Sequence, residues 1–504
     1  MLQIPGLDHT DQNTLDKLLN QLAAKMPRNK LRATYYDSKY LLKDLGISTP
    51  PNLRNFEAVL GWPAKAVDQL ARRCNLDDFV LPESDVADFG IPELWEDNYL
   101  DIESHQAHTS ALIHSVVFIA TTLGDVASGE PEVLVTARDA MTGTGIYSKR
   151  ARALSSALSI VDVDENTADP NYMIMYLPDK VITMTKSPGG VWKAEARKHS
   201  LGRVPVEPLV YQPRLGRPFG ASRISRAVMS HTDSALRTVV RSEIGAEFFT
   251  APQRYALNIP QEAFGTNGWA ALIGRMLALD PPDEDEGADA NFKPEVGQFP
   301  QISMQPHSEQ LRMWATLFAG ETSIPIGSLG VIQDNPSSAD AMDAATKDIV
   351  LEAEFADNVF GVGWARAMRT AVQLRDGLDE VPAELRRLRA KWRDPNTPSK
   401  SQAADAMSKQ IAAMPWIGET EVALESLGYD RTTIERLLAE KRRNKVSGLL
   451  DRLPSAADAA RTNVEVADLA AQGRPATPPT DTAPTTFRSG TGDGVAPTFR
   501  AGNR

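Results

Sequence analysis

The chain has 504 residues, a hydrophobic content of 42% and a formal net charge of −12 at pH 7. This length suits about two to four domains. The acidic balance argues against generic adhesion to nucleic acid or anionic lipid, although a local basic patch is compatible with it. The single cysteine, Cys74, excludes an internal disulfide framework. No apolar run reaches the roughly 18 residues that span a bilayer, and the N-terminus lacks the order of a signal peptide, so we expect a soluble protein assembled inside a cell.

The first hundred residues show mainly helical patterns. In residues 14–26, leucines recur at the spacing of an amphipathic helix, and Pro27 is expected to end that helix. The same spacing recurs in residues 53–73, where Pro63 is expected to break the pattern. We therefore predict two short helical segments before the chain changes character.

Short, β-branched and turn-bounded stretches follow between about residues 110 and 211, and they predict strands. They read SVVFIATTL, PEVLVTARD, YMIMYLP, KVITMTK and VWKAEARK. The segment TGTGIYSK (142–149) does not have the spacing of a phosphate-binding GxxxxGK[ST] loop. It is predicted to be a tight turn between strands.

Three further helical patterns follow, at residues 221–249, 307–321 and 339–374, and the second of them is short. At 1.5 Å per residue the last would be roughly 50 Å long, and Gly361 and Gly363 are candidate bend points. The stretch before the first of these helices is rich in proline, glycine and arginine. Proline restricts the backbone and glycine permits positive φ, so this stretch predicts a rigid, basic entry into the helix.

The last fifty residues are dominated by alanine, proline, threonine and glycine. Such a composition cannot bury enough apolar surface to offset the entropy of ordering, so we expect a disordered tail. It contains the near-repeat APTTFRSG and APTFRAG, which is either a docking motif or a consequence of the biased composition.

No pattern in the sequence indicates catalysis or a metal site. His105 and His108 lie three residues apart with His114 nearby, but no HExxH arrangement accompanies them. No GxSxG elbow is present, and the acidic run at 280–289 lacks the glycine and terminal glutamate of an EF-hand loop. We therefore expect no enzymatic activity, no metal and no cofactor.

Four stretches together resemble the bacteriophage portal protein family. They are YYDSKYLLKDLG (35–46), WPAKAVDQLARRCNLDDF (62–79), LGRVPVEPLVYQPRLGRPFGASRIS (201–225) and DNPSSADAM (334–342). The third is the strongest local match, although Arg223 stands where the family often has an acidic residue. In the first stretch, Asp37 stands where a glycine is common in the family. The resemblance covers about residues 15–450.

The resemblance implies an α+β portal fold with eight segments. These are a wing at 1–220, a stem helix at 221–249, a clip at 250–306, a second stem helix at 307–321, a tunnel loop at 322–338, a long wing helix at 339–395, a helical crown at 396–450 and a tail at 451–504. The rigid turn would then direct the first stem helix along the axis of a ring.

The resemblance also implies a function. Portal proteins form rings, typically of about twelve subunits, at one capsid vertex, and double-stranded DNA passes through the ring during packaging and ejection. The implied partners are other copies of the chain, the terminase large subunit, the major capsid protein and a head–tail adaptor, with no membrane. The implied location is the virion, after assembly in the host cytoplasm.

Two sets of site residues follow from the resemblance. The tunnel loop would present Ile332, Gln333, Asp334 and Asn335 to the DNA, unless it is an ordinary wing loop buried against the long helix. The clip would present Asp283, Glu284, Asp285 and Glu286 to the motor or the adaptor, unless these acids are only solvated. The basic clusters at 386–393 and 440–445 either face packaged DNA or keep helices soluble.

Two other functions are compatible with the sequence. A minor capsid or head-assembly protein is one, although it would not be expected to have a long helix after a flexible loop. A non-catalytic subunit of a DNA-packaging motor is the other; a motor ATPase itself would need a Walker-type loop, which the sequence lacks.

Overall fold

The computed structural model describes residues 2–40, 58–250, 254–257, 295–298, 303–331, 339–396 and 400–450. The chain divides into two compact units, Met1–Thr397 and Pro398–Arg504. Among the described residues, none of the helices is both long enough and apolar enough to cross a membrane.

The first unit contains seven α-helices among its described residues. They are α1 (His9–Tyr36), α2 (Trp62–Ala71), α3 (Ile91–Asp97), α4 (Leu100–His114), α5 (Arg226–Thr250), α6 (Gln305–Thr322) and α7 (Ala339–Arg375). Its described strands are β1 (Leu76–Val80), β2 (Val116–Leu123), β3 (Val133–Asp139), β4 (Gly143–Ser148), β5 (Ala153–Val163), β6 (Pro170–Tyr176), β7 (Lys180–Lys186), β8 (Trp192–Lys198), β9 (Val206–Val210), β10 (Arg254–Leu257), β11 (Glu295–Gln298) and β12 (Arg389–Trp392).

The strands form four antiparallel sheets in the described part of the chain. One sheet has five strands in the order β4-β5-β6-β7-β8, and a second has three in the order β3-β2-β9. Two further pairs join β1 to β12 and β10 to β11. In the three-stranded sheet, Val117 lies opposite both Asp139 and Leu209. Helices combined with antiparallel sheets confirm the predicted α+β class.

Helix α1 covers one face of the five-stranded sheet. Leu15 and Leu18 are fully buried on Met173 and Met184 of that sheet. The prediction that Pro27 ends this helix is wrong, because α1 continues to Tyr36. Proline removes a single backbone N–H, and tertiary contacts hold the later turns: Asn29 Nδ2 donates to the Ala140 carbonyl at 2.9 Å and Tyr35 Oη to Asp233 at 2.8 Å.

The long helix α7 crosses the largest core of the protein. Phe360, Trp364 and Met368 are fully buried there. A Cβ atom added at Gly361 would lie 3.0 Å from Trp392 Nε1, and one at Gly363 would lie 2.3 Å from Leu209 Cδ2. These two glycines therefore let strands β12 and β9 approach helix α7, which continues through both positions.

Two further predictions are wrong. Pro63 does not break a helix; it occupies the first turn of α2, which begins at Trp62. At that position the missing N–H of proline would have had no partner within the helix. The segment TGTGIYSK is not a tight turn, because most of it forms strand β4, paired with β5.

The second unit is helical where it is described, as predicted for residues 396–450. It contains α8 (Lys400–Ala413), α9 (Glu421–Ser426) and α10 (Arg431–Leu450). Its small core includes Ala403, Met407, Ala423 and Ile434. At the start of α10, the Asp430 carboxylate accepts from the Thr433 backbone N–H at 3.3 Å, which is the usual way to satisfy a helix N-terminus.

Candidate functional site

Helices α5 and α6 form an antiparallel arm. At one end, Ser225 Oγ donates to the Glu321 carboxylate at 3.1 Å. Toward the other end, a Cβ added at Gly245 would lie 3.6 Å from His307 Nε2. The chain leaves α5 into β10 and returns through β11 into α6, and these two strands pair antiparallel with Arg254 opposite Gln298. The arm therefore leads to the segment 258–294, which lies outside the described residues.

The arm is long and has its own apolar contacts. The 25 residues of α5 extend about 37 Å at 1.5 Å per residue. Leu236 and Val240 of α5 are buried, as are Ala315 and Phe318 of α6. Phe318 also packs against Trp62 of α2, with ring centroids 5.4 Å apart, so the base of the arm is anchored in the main core.

Arg223 lies at the base of the arm and connects three helices and Tyr211, the residue that follows β9. Its Nε donates to the Ala66 carbonyl of α2 at 2.5 Å, and its Nη2 donates to the Thr322 carbonyl at the end of α6 at 2.5 Å. Its Nη1 pairs with the Glu352 carboxylate of α7 at 2.5 Å and donates to Tyr211 Oη at 3.1 Å. We call Arg223, Glu352 and Tyr211 the joint cluster.

The joint cluster is largely buried, with the Glu352 side chain 18% exposed, and its charges are paired. The Arg223 side chain is only 3% exposed. Burial alone would lower the pKa of Arg223, but the nearby Tyr211 and Glu352 oxygens outweigh it and raise that pKa. The Tyr211 hydroxyl donates to Glu352, and burial together with the Glu352 charge raises the pKa of Tyr211. The guanidinium therefore stays charged inside the protein, with every side of it engaged.

The turn that leads into α5 is rigid for a local reason as well. Gly220 has a φ of 66°, and a Cβ there would lie 1.9 Å from the Tyr211 carbonyl oxygen. No other residue fits that position. The Arg223 backbone N–H then donates to the Leu112 carbonyl at 2.9 Å, so the direction of the arm is fixed before the helix begins.

Two helices of the first unit each expose apolar side chains on one face. On α7, Leu351, Phe355 and Val362 are 53%, 52% and 56% exposed. At 3.6 residues per turn they lie within about 40° of one another around the helix, and we call them the α7 stripe. On α6, Met313 and Leu317 are 47% and 46% exposed one turn apart.

The predicted site residues fall on segments that the structure does not describe. The tunnel-loop residues Ile332, Gln333, Asp334 and Asn335 and the clip acids Asp283, Glu284, Asp285 and Glu286 all lie outside the described residues. The described half of the predicted loop packs into the main core, where Ile324 and Leu329 are buried.

Some arginines of the basic cluster RRLRAKWR (386–393) form salt bridges with acidic side chains. Arg386 pairs with Glu380 at 3.3 Å, Arg387 pairs with Glu83, and Arg393 pairs with Asp77 at 3.2 Å. All three pairs are well exposed on at least one side. Three of the five cations in this cluster are thus paired within the first unit.

Sequence reasoning missed both the joint cluster and the α7 stripe. The signal for the first was present, since Arg223 is an arginine placed in a proline- and glycine-rich turn, yet its partner Glu352 is distant in the chain. The signal for the second was the spacing of Leu351, Phe355 and Val362 on one face, but helical spacing alone does not tell a buried face from an exposed one.

The comparisons with known proteins agree with this architecture. The family model described as "Phage portal protein, SPP1 Gp6-like" matches residues 15–446. The portal protein of Mycobacterium phage D29 is 27% identical over 425 residues, covering 82% of this chain and 85% of the relative. The portal protein of Mycobacterium phage L5 is 28% identical over 408 residues, covering 79% and 81%.

A solved structure described as the virion of a native gene transfer agent particle is also similar, with a TM-score of 0.40 and 11% identity over 70% of this chain and 85% of that chain. That likeness is too distant to support an argument. The family match is different, because it spans most of the chain. The protein therefore belongs to the SPP1 Gp6-like family of phage portal proteins.

Proposed function

We propose that copies of this portal protein close into a ring of about twelve subunits and that double-stranded DNA passes through its centre during packaging and ejection. The ring occupies one vertex of the capsid in the virion, and the subunits assemble in the host cytoplasm. Family membership supports the ring, and the antiparallel arm with its fixed direction supports a channel lined by identical helices from neighbouring subunits.

The observation that carries the ring is the α7 stripe. Single exposed apolar residues are normal on a protein surface, but aligned apolar residues on a long helix indicate a surface that binds another protein. A closed ring with cyclic symmetry needs two different, complementary surfaces on each subunit. The α7 stripe and the exposed Met313–Leu317 pair of α6 supply two candidates.

The proposed partners extend beyond the ring. The segment 258–294 would contact the terminase large subunit during packaging and a head–tail adaptor afterwards, through Asp283, Glu284, Asp285 and Glu286. The wing would contact the major capsid protein. The protein itself would hydrolyse no ATP and cleave no DNA, because DNA movement is driven by the motor that binds to the ring.

The ring is tested by placing charge on the α7 stripe. The variant Phe355→Glu with Val362→Glu exposes carboxylates where the neighbouring subunit would bind, so the purified protein should shift from a ring to monomers or short oligomers. Light scattering coupled to size-exclusion chromatography measures this. Val126→Glu is the matched control, since Val126 is 66% exposed on a loop of the wing, and it should assemble as the wild type does. Rings of normal mass from the double variant would refute this interface.

The tunnel loop is tested separately. Gln333→Lys with Asp334→Lys should leave the ring assembled but impair packaging or retention of DNA. Two lysines per subunit would place about two dozen around the duplex, where they would bind its phosphates. The measurement is the yield of packaged DNA per assembled head. A normal yield would remove this loop from the channel and leave the assignment of the protein as a portal intact.

A further inference from the structure

A cavity lies between helix α1 and the rigid turn that leads into the arm. Its volume is about 270 Å³. The walls come from the middle of α1, from the end of α4 and the start of β2, and from residues 217–221 of the turn. It is separate from the joint cluster, none of whose three residues lines it.

The lining of this cavity is strongly basic. It includes Lys25, Arg28 and Arg32 from α1 and Arg217 from the turn. Among the residues that line it, none is an aspartate or a glutamate. Burial, together with the charges of Arg28 and Arg217, lowers the pKa of Arg32 to about 10. In a protein with a net charge of −12, four cations thus surround one cavity without a counterion in its lining.

Two buried polar atoms in the same lining have no partner among the described residues. Asn29 is 2% exposed and His114 is 6% exposed, and both line the cavity. The Asn29 Nδ2 group donates to the Ala140 carbonyl at 2.9 Å, which leaves its Oδ1 acceptor unused. The Nδ1 atom of His114 is also unused. Buried polar atoms normally have a hydrogen-bond partner, so the wall beside the four cations is polar and incompletely hydrogen-bonded.

The contacts around the cations show which of them are available. Arg32 Nη1 donates to the His114 carbonyl at 3.0 Å, so the Arg32 side chain also links helix α1 to the end of α4. The Lys25 ammonium lies 4.8 Å from the centroid of the Phe219 ring, which keeps it at the cavity. Asp139 is the acidic group that acts on His114, and it does not line the cavity. Arg28 and Arg217 are exposed and can reach a ligand from the open side.

We propose that this cavity binds a doubly charged phosphate group, which means inorganic phosphate or a phosphomonoester. The four cations match a doubly charged oxyanion, and guanidinium groups favour phosphate because their donors form a planar fork. A carboxylate and each phosphodiester of a DNA backbone carry only one negative charge, so both match the four cations less well.

Such a ligand would link α1 to the turn that directs the arm, since Lys25, Arg28 and Arg32 lie on the former and Arg217 on the latter. Phosphate would then offset the repulsion among these cations. We therefore expect it to stabilise the folded full-length protein more than chloride does at equal ionic strength.

The test is isothermal titration of the full-length protein with inorganic phosphate at constant ionic strength. Wild type should bind in a saturable manner, and Arg28→Gln with Arg217→Gln should bind at least tenfold more weakly. The matched control is Lys30→Gln with Arg214→Gln, which removes two exposed cations from the same helix and the same turn but not from the lining. The control should bind as the wild type does.

Three competitors define the chemistry. Deoxyadenosine monophosphate should displace phosphate if the cavity accepts a monoester, and failure to displace it would restrict the ligand to inorganic phosphate. Acetate and a short DNA duplex with 5′-hydroxyl ends should not displace it. Equal phosphate affinity in both double variants, or displacement by acetate or by the duplex, would overturn the proposal.

Discussion

Two carboxylates on helix α7 lie five residues apart and differ in almost every respect. Glu352 pairs with Arg223 at 2.5 Å and accepts from Tyr211. Asp357 is 4% exposed, and neither of its carboxylate oxygens accepts a hydrogen bond of ordinary geometry from the described residues. Burial raises the pKa of Asp357 to about 7, while the neighbouring Cys74 thiol opposes that change.

The difference is that Glu352 has a cationic partner in the core and Asp357 has none among the described residues. A buried charge persists when an opposite charge and hydrogen bonds replace the water it has lost, and otherwise the group takes up a proton. Glu352 has such partners and fixes the base of the arm. Asp357 does not, so we expect it to carry its proton in the folded protein below about pH 7.

The largest effect is expected from removing the cation of the joint cluster. Arg223→Met leaves Glu352 without its partner and the Ala66 and Thr322 carbonyls without a donor. Breaking a buried pair in this way costs about 3–5 kcal/mol. Urea denaturation of the full chain at fixed protein concentration measures the loss.

Arg226→Met is the control for this prediction, because Arg226 is exposed at the start of α5, and its stability should match the wild type. Removing both charges with Arg223→Met and Glu352→Met should recover part of the loss, since no unpaired charge remains. A single Arg223→Met variant as stable as the wild type would show that the joint cluster does not hold the arm.

The next effect concerns Asp357→Asn and depends on pH. Below pH 3.8, the usual pKa of aspartate, the folded and unfolded states are both protonated. Between that value and about 7 only the unfolded state ionises, so the wild type loses about 1.4 kcal/mol per pH unit. The loss is complete above the folded pKa. The variant lacks it and should be more stable than the wild type by about 2–4 kcal/mol at pH 8, with little difference at pH 4.

Asp348→Asn is the control, because Asp348 is exposed on the same helix, so this change removes a carboxylate from the surface and not from the core. Denaturation midpoints at several pH values provide the measurement. If Asp357→Asn had the same pH dependence as the wild type, Asp357 would be ionised in the core, and the contrast with Glu352 would be lost.

The smallest effect is expected at Ser225, which precedes helix α5. Ser225 Oγ accepts from the Val228 backbone N–H at 3.2 Å and so caps α5. Ser225→Ala should cost about 1 kcal/mol, as is usual for a lost cap, and Ser225→Thr should retain most of that stability. Thermal unfolding of both variants tests this. A loss at Ser225 as large as that at Arg223 would mean that the cap, and not the buried pair, anchors the arm.

The sequence predicted the elements whose periodicity was long or whose composition was distinctive. Helix α7 was predicted over 339–374 and runs to Arg375, because its apolar spacing persists over many turns. Strand β4 was missed because its glycines suggested a turn, whereas a Cβ at Gly145 would lie 3.0 Å from Leu154 Cδ1. The need for glycine there is set by a neighbouring strand, which local patterns do not reveal.

The candidate site was less predictable for the same reason. The proline- and glycine-rich turn indicated a stiff entry into α5, and the structure has one at Gly220 and Arg223. The partner of Arg223 could not be predicted, because the chain has many acidic residues and the sequence pattern does not show which of them lies next to Arg223 in the fold. The cavity beside α1 likewise brings Arg217 next to Arg28 and Arg32 only once the chain has folded.

The most direct test of the portal account is the mass and shape of the purified full-length protein. Native mass spectrometry should give one dominant assembly of about twelve subunits of 55.0 kDa, and electron micrographs should show rings with a central hole. A protein that stays at 55.0 kDa across protein and salt concentrations, with no ring in any image, would contradict the account.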